Sequence, residues 1–195
     1  MFDFFKKKDM WYLFKGKPHT EEVLKAKAEM LALLLSDWSV DNTARMLEAV
    51  KKEEEGLDID KFKNKVSFEV LFFWMHYVDR MAFGILGPEQ RGSFITALNE
   101  SLINIFSHGQ SSDEGRKAVE TLLTDLYNER QVEYAGYKMA ENENDGMAGT
   151  LFWEVGKKIS SIFGSGRDIQ DMMKVQIYVV GALKHMELGL LLQER

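Results

Sequence analysis

Four side chains that can carry protons, metals or anions lie close together in the chain: Glu69, His76, Asp79 and Arg80. His76 follows Glu69 by seven residues and precedes Asp79 by three and Arg80 by four. These spacings keep side chains close along one helix. Imidazole nitrogens and carboxylate oxygens are metal ligands and proton carriers. This group is therefore the strongest candidate for chemistry in the sequence.

A metal site needs further ligands from another helix, and the last apolar segment supplies two candidates. The predicted metal ligands are His76, Asp79, His185 and Glu187. A di-iron bundle site is excluded, because neither histidine has the glutamate three residues earlier that such sites use. His185 and Glu187 are two residues apart and face different sides of a helix. The alternative is that these groups are hydrogen-bonded structural residues.

Other chemistries have little support. The chain has no cysteine, which excludes disulfides, iron-sulfur clusters on thiolates, cysteine-ligated zinc and a cysteine nucleophile. It contains neither the phosphate-binding glycine motifs nor the Gly-x-Ser-x-Gly turn of hydrolases. The sequence therefore favours a non-catalytic protein and predicts no cofactor.

An acidic segment matches the first half of a calcium loop. Glu141, Glu143, Asp145 and Gly146 fall at positions 1, 3, 5 and 6 of an EF-hand, but position 12, normally a bidentate glutamate, is Phe152. A solvated turn between helices is the expected structure.

Apolar residues recur at spacings of three and four along nearly the whole chain, which predicts helices. With only 2 prolines, the sequence predicts an all-α fold, a single irregular bundle of about seven helices over residues 20–195. The helices are predicted at about 20–36, 39–55, 60–86, 88–108, 112–139, between Gly146 and Gly164, and 168–193. The first two are expected to form a helical hairpin.

The third and last predicted helices are the most apolar, and we expect them to form the centre of the bundle. Apolar residues surround nearly the whole circumference of the last helix, and a helix of this kind is normally buried. Neither helix is expected to span a membrane, because each carries charges such as Glu69 and Lys184 that are costly in lipid.

The charge is unevenly distributed. Residues 1–19 carry five lysines and two aspartates, whereas the whole chain has a net charge of −6. An acidic body repels phosphate backbones, so nucleic acid is not expected as a partner. The lysines at positions 6 to 8 interrupt the apolar residues that a signal peptide would need, which predicts a cytoplasmic protein.

The first 19 residues form a basic and aromatic N-terminal arm. Residues 1–17 have the composition of a segment that binds an anionic membrane surface, so a peripheral membrane protein is one possibility. The favoured alternative is that the arm folds back and docks its aromatic residues on the helical body.

These observations favour a non-catalytic helical module that binds a protein partner or itself. Self-association as a symmetric dimer is expected first, because the last helix has more apolar surface than its neighbours can cover. The rival interpretation is a helical bundle, or an enzyme, that binds a metal or small ligand through His76 and Asp79 with His185 or Glu187.

Overall fold

The computed structural model describes residues 14, 16–51, 60–108, 110–139, 149–162, 169–186 and 188–192. Within these ranges the chain is helical and contains no strand, so the predicted all-α class is confirmed. The helices are α1 (Glu21–Lys51), α2 (Asp60–Ile85), α3 (Pro88–Ser107), α4 (Asp113–Ala135), α5 (Leu151–Ile162), α6 (Ile169–Met186) and the five-residue α7 (Leu188–Leu192).

Local signals in the sequence mark the starts of four helices. Three hydroxyls accept hydrogen bonds from the backbone amide three residues later at helix starts, from Thr20 (3.3 Å), Ser112 (3.0 Å) and Thr150 (3.3 Å). Pro88 begins α3 as predicted, and the Gln90 side chain accepts a hydrogen bond of 3.3 Å from the Gly87 amide. The predicted boundaries of α2 and α3 are confirmed to within one or two residues, and α5 lies within its predicted range between Gly146 and Gly164.

The predicted hairpin between residues 20 and 55 is wrong, because α1 is one continuous helix of 31 residues. The expected break at Ser36 to Ser39 contains neither glycine nor proline. Ser39 Oγ donates to the Ser36 carbonyl (2.8 Å), and Asn42 Nδ2 donates to the Trp38 carbonyl (3.1 Å). The side chains of Ser39 and Asn42 thus find hydrogen-bond acceptors within the helix itself. Trp38, in the same turn, is buried.

Helix α4 ends at Ala135 rather than near Met139. After it, the chain turns through a hydrogen bond from the Tyr137 amide to the Tyr134 carbonyl (3.1 Å). Lys138 then pairs with Thr150, and its carbonyl accepts from the Leu151 amide at 2.8 Å. The acidic segment 141–145 lies outside the described residues.

The chain divides into two compact units. Unit 1 comprises Met1–Leu34, Tyr77–Thr121 and Met186–Arg195, and unit 2 comprises Leu35–His76 and Leu122–His185. The core of unit 1 includes Leu24, Ala28, Leu31, Phe94, Leu98 and Leu102. The core of unit 2 includes Leu35, Val70, Phe73, Trp74, Leu123, Tyr134, Val155, Ile159, Val175 and Val179. The predicted domain boundary at residue 19 stays a prediction.

Helix α6 is not buried on all sides, contrary to the expectation for the last helix. Met172, Val175 and Val179 are buried, whereas Met173 and Ile177 are exposed. Two contacts lie on the buried arc: Trp74 Nε1 of α2 donates to the Val179 carbonyl at 3.4 Å, and Gly156 of α5 lies close to the Met172 carbonyl. The most enclosed stretch among the described helices lies in α2, where every side chain from Glu69 to His76 is buried.

None of the helices within the described ranges combines the length and apolar character needed to cross a membrane.

Gly156 allows α5 and α6 to approach closely. A Cβ atom at this position would lie 3.2 Å from both the Met172 carbonyl oxygen and Gln176 Cγ. The buried Gln176 side chain donates from Nε2 to the Phe152 carbonyl (3.4 Å) across the same contact. The absence of a side chain at Gly156 therefore sets the spacing of the two helices.

We expect Gly156→Ala to lower the free energy of unfolding by about 1 kcal/mol or more. Overpacking costs about 1–3 kcal/mol, which exceeds the gain in helix propensity of about 0.5–1 kcal/mol. Gly92→Ala is the matched control, because a Cβ at Gly92 meets nothing within 4 Å. Urea denaturation measures the free energy of unfolding of both variants. If Gly156→Ala, like Gly92→Ala, is as stable as the unmodified protein or more stable, the close packing at Gly156 is contradicted.

Candidate functional site

Glu69 of α2 is a buried carboxylate that contacts α4 and α5 within unit 2. Arg130 Nε donates to both of its oxygens, at 3.1 Å (Oε1) and 3.0 Å (Oε2). The Tyr134 hydroxyl donates to Oε1, and Lys158 Nζ lies 4.0 Å from the same oxygen. The carboxylate is thus surrounded by donors from two other helices, which is how a buried charge is tolerated.

Arg130 and Lys158 also bind further carboxylates, which lie nearer to solvent than Glu69. Arg130 NH1 is 2.5 Å from Glu129 and 3.4 Å from Glu133, and Lys158 Nζ donates to Glu133. Glu129 is largely exposed, whereas Arg130 and Lys158 are mostly buried. We call Glu69, Arg130, Glu133, Tyr134 and Lys158 the Glu69 cluster. It contains two cations and two carboxylates, so its formal charge is balanced.

The surroundings shift the pKa of two members of the cluster. Burial raises the pKa of the Tyr134 hydroxyl, and the negative charge and hydrogen bond of Glu69 raise it further. Burial by itself lowers the pKa of Arg130, but the charges and hydrogen bonds of Glu69 and Glu129 together outweigh burial, so that the pKa lies above its ordinary value. Both side chains therefore keep their protons well above neutral pH.

The Tyr134 ring lies among other rings of unit 2. Phe73 meets it edge-on at 6.4 Å between centroids, and the His76 ring lies 5.7 Å away. His76 is buried, and its Nδ1 is 2.7 Å from Gln131 Oε1. Because an amide oxygen only accepts, Nδ1 carries the hydrogen of this bond. The histidine is thus a hydrogen-bonded core residue next to the cluster.

Helical spacing explains how these residues come together. On α2, Glu69, Phe73 and His76 follow at spacings of four and three, and on α4 the face of Leu123 continues through Tyr127 and Arg130 to Tyr134. The sequence analysis singled out Glu69 and His76 but missed the α4 residues, because the second half of this helix is polar and shows no continuous apolar face. The continued 4, 3, 4 spacing from Leu123 was the available signal.

Asp79, another predicted site residue, lies in unit 1. Arg91 of α3 binds it with two hydrogen bonds, from Nε to Oδ1 (2.8 Å) and from NH2 to Oδ2 (2.5 Å). The Arg91 guanidinium also lies over the Phe83 ring, 5.3 Å from its centroid. Both carboxylate oxygens of Asp79 are therefore engaged by one guanidinium in bidentate geometry. Arg80 beside it is half-buried.

The structure thus gives each of two predicted metal ligands a protein partner, Gln131 for His76 and Arg91 for Asp79. Glu187 and the side chain of His185 lie outside the described residues. In the part of the chain that is described, no three histidine, aspartate or glutamate side chains group as a metal site would need. A metal site formed by His76, Asp79 and either His185 or Glu187 stays a prediction.

Comparison with known protein families, curated proteins and solved structures finds no match to this chain. What the cluster can do must therefore be argued from its geometry. Its carboxylate is held by a guanidinium and a phenol, and neither of these donors loses its proton near neutral pH. This arrangement fixes α2, α4 and α5 against one another.

Removing one partner of the buried pair should strongly destabilise the protein. We expect Arg130→Ala to lower the free energy of unfolding by about 3–5 kcal/mol, because it leaves the buried Glu69 carboxylate without its main counter-charge. Arg116→Ala removes an exposed ion pair with Asp113 and should cost less than about 1 kcal/mol. A similar loss in the two variants, measured by urea denaturation, would contradict a stabilising role for the cluster.

Alkaline pH should test the buried tyrosine. Because its pKa is raised in the folded state, Tyr134 contributes stability below its unfolded pKa of about 10, and this is lost as pH rises. We expect the stability of Tyr134→Phe to fall less steeply with pH above about 10, by up to about 1.4 kcal/mol per pH unit. Tyr178→Phe, at a half-buried site, serves as the control. Parallel pH profiles for Tyr134→Phe and the unmodified protein would show that this tyrosine titrates normally.

Proposed function

We propose that this chain is a non-catalytic helical module that binds a protein partner, including a second copy of itself. The observation that carries the proposal is a row of exposed apolar side chains on α6. Ile169, Met173 and Ile177 are 59%, 48% and 69% exposed and follow one another at intervals of four residues. We call these three residues the α6 stripe.

The α6 stripe lies on one side of the helix, beside the arc that packs into unit 2. Residues four apart lie one above the other on a helix, so the three side chains form a continuous surface. Met172, Val175 and Gln176 on the adjoining arc are buried. The apolar face of α6 is therefore wider than its packed face, which is typical of a helix that binds a further element.

The size of the surface indicates the kind of contact. Fully burying an isoleucine or methionine side chain contributes about 1.5–3 kcal/mol, so three partly exposed ones can support binding. A stripe one helix wide is smaller than the surface of about 800 Å² per partner that stable complexes bury. Its shape fits an apolar helix face laid alongside α6. A second copy of the chain offers such a face, and we propose a weak, concentration-dependent dimer as the first complex to test.

The lack of cysteine allows a direct experiment on the stripe. We expect Met173→Cys, at the centre of the stripe, to form a disulfide-linked dimer under mild oxidation, because a two-fold contact would bring the two copies of this residue together. Val132→Cys is the matched control, since Val132 is an equally apolar exposed site on α4, 79% exposed. Equal crosslinking of both variants would indicate random collision and would exclude self-association through α6.

Light scattering on the unmodified protein and on Ile177→Asp completes the test. The average mass of the unmodified protein should rise above 22.5 kDa with concentration, and the charged variant should remain at that value. A constant mass of 22.5 kDa for the unmodified protein would eliminate the dimer. The wider proposal would then require a different partner protein whose binding Ile177→Asp abolishes and Val132→Asp leaves unchanged.

A further inference from the structure

Phe83 is the most exposed large apolar side chain among the described residues of unit 1. It lies in the last turn of α2 and is 73% exposed, although the Arg91 guanidinium lies over its ring. Arg91 is itself held by Asp79, so the ring lies beside a fixed group. Aromatic residues and arginine are enriched at protein–protein interfaces, and Phe83 and Arg91 place one of each side by side.

The N-terminal arm enters the described structure next to this surface. The His19 carbonyl accepts a hydrogen bond of 3.3 Å from Nε2 of Gln90, the residue that precedes Arg91 in α3. Just before it, the Lys17 amide donates to the Phe14 carbonyl (3.1 Å), and Gly16 has a φ of +73° that closes the turn. The start of the described chain is thus tied to the first turn of α3.

Residues 1–13 lie outside the described residues and are long enough to reach Phe83. Thirteen residues span up to roughly 40 Å when extended. The segment combines apolar side chains with three lysines: Phe2, Phe4, Phe5, Met10, Trp11, Tyr12 and Leu13 with Lys6, Lys7 and Lys8. Exposed carboxylates lie in the first turns of α1 and α3, from Glu21, Glu22 and Glu89. The apolar side chains of the segment therefore match the exposed ring of Phe83, and its lysines match the exposed carboxylates of unit 1.

We propose that residues 1–13 of this chain dock on unit 1 over the exposed ring of Phe83. The aromatic side chains of the segment cover the ring, and its lysines lie near the carboxylates of the first turns of α1 and α3. The docking surface is distinct from the α6 stripe, so this proposal is independent of the proposed function. It also assigns the basic segment to the protein body rather than to an anionic membrane.

Limited proteolysis with a lysine-specific protease tests the contact in the full chain. If the segment docks on Phe83, cleavage after lysines 6 to 8 should be about tenfold faster in Phe83→Ser than in the unmodified protein, because burial of one large apolar side chain is worth roughly one decade in an equilibrium. Val132→Ser, an exposed apolar site in unit 2, should leave the rate unchanged. Equal rates in Phe83→Ser and the unmodified protein would overturn the proposal.

A thermal melt of four proteins provides a second readout. Deleting residues 1–13 should lower the melting temperature of the unmodified protein and have little effect in the Phe83→Ser background, because residues in contact are not additive. Additive effects of the deletion and of Phe83→Ser on the melting temperature would overturn the proposal.

Flotation with phosphatidylserine-containing vesicles tests the alternative, in which the segment binds an anionic membrane. We expect background flotation of the full chain, and clear flotation that is abolished by the deletion and unaffected by Phe83→Ser would assign the segment to the membrane.

Discussion

The buried carboxylate of Glu69 imposes the strictest geometric requirement within unit 2. Removing an ionised group from water costs several kcal/mol, and the cost is offset only when donors stand at hydrogen-bond distance. Arg130 and Tyr134 of α4 meet this requirement on two sides, and Lys158 of α5 lies 4.0 Å away. Hydrogen bonds weaken steeply with distance and angle, so a shift of one helix by a fraction of a turn would break these contacts. The cluster therefore fixes the register of three helices.

Tyr134 connects this polar requirement with the apolar core. Its hydroxyl donates to Glu69, while its buried ring contacts Phe73 and lies beside His76. A phenylalanine would fill the same space without supplying the donor, and a smaller polar residue would supply a donor without filling the space. The high pKa of Tyr134 results from the same position, because burial and the neighbouring negative charge both oppose loss of its proton. One side chain thus couples packing to electrostatics in unit 2.

The sequence predicts features that depend on neighbouring residues and fails for those that depend on distant ones. The end of α2 and the start of α3 follow from Gly87 and Pro88, whose effect on the backbone is local. The break expected near Ser36 was wrong because serine is compatible with a helix when its own hydroxyl donates to a backbone carbonyl of the preceding turn, as Ser39 does to Ser36. The ion pair of Glu69 joins residues 61 positions apart, and no spacing within one helix indicates such a partner. His76 could be singled out, but its bond to Gln131 could not.

Helix α6 shows a further limit of periodicity. An apolar residue contributes equally to the pattern whether it packs inside the protein or faces outward, so the sequence indicated a helix buried on every side. The structure separates two sets, with Met172 and Val175 buried and Met173 and Ile177 exposed. The distinction depends on how many neighbouring helices are present, and this number is a property of the whole fold. Because the exposed set adjoins the packed arc, an apolar helix laid alongside α6 would extend an existing core.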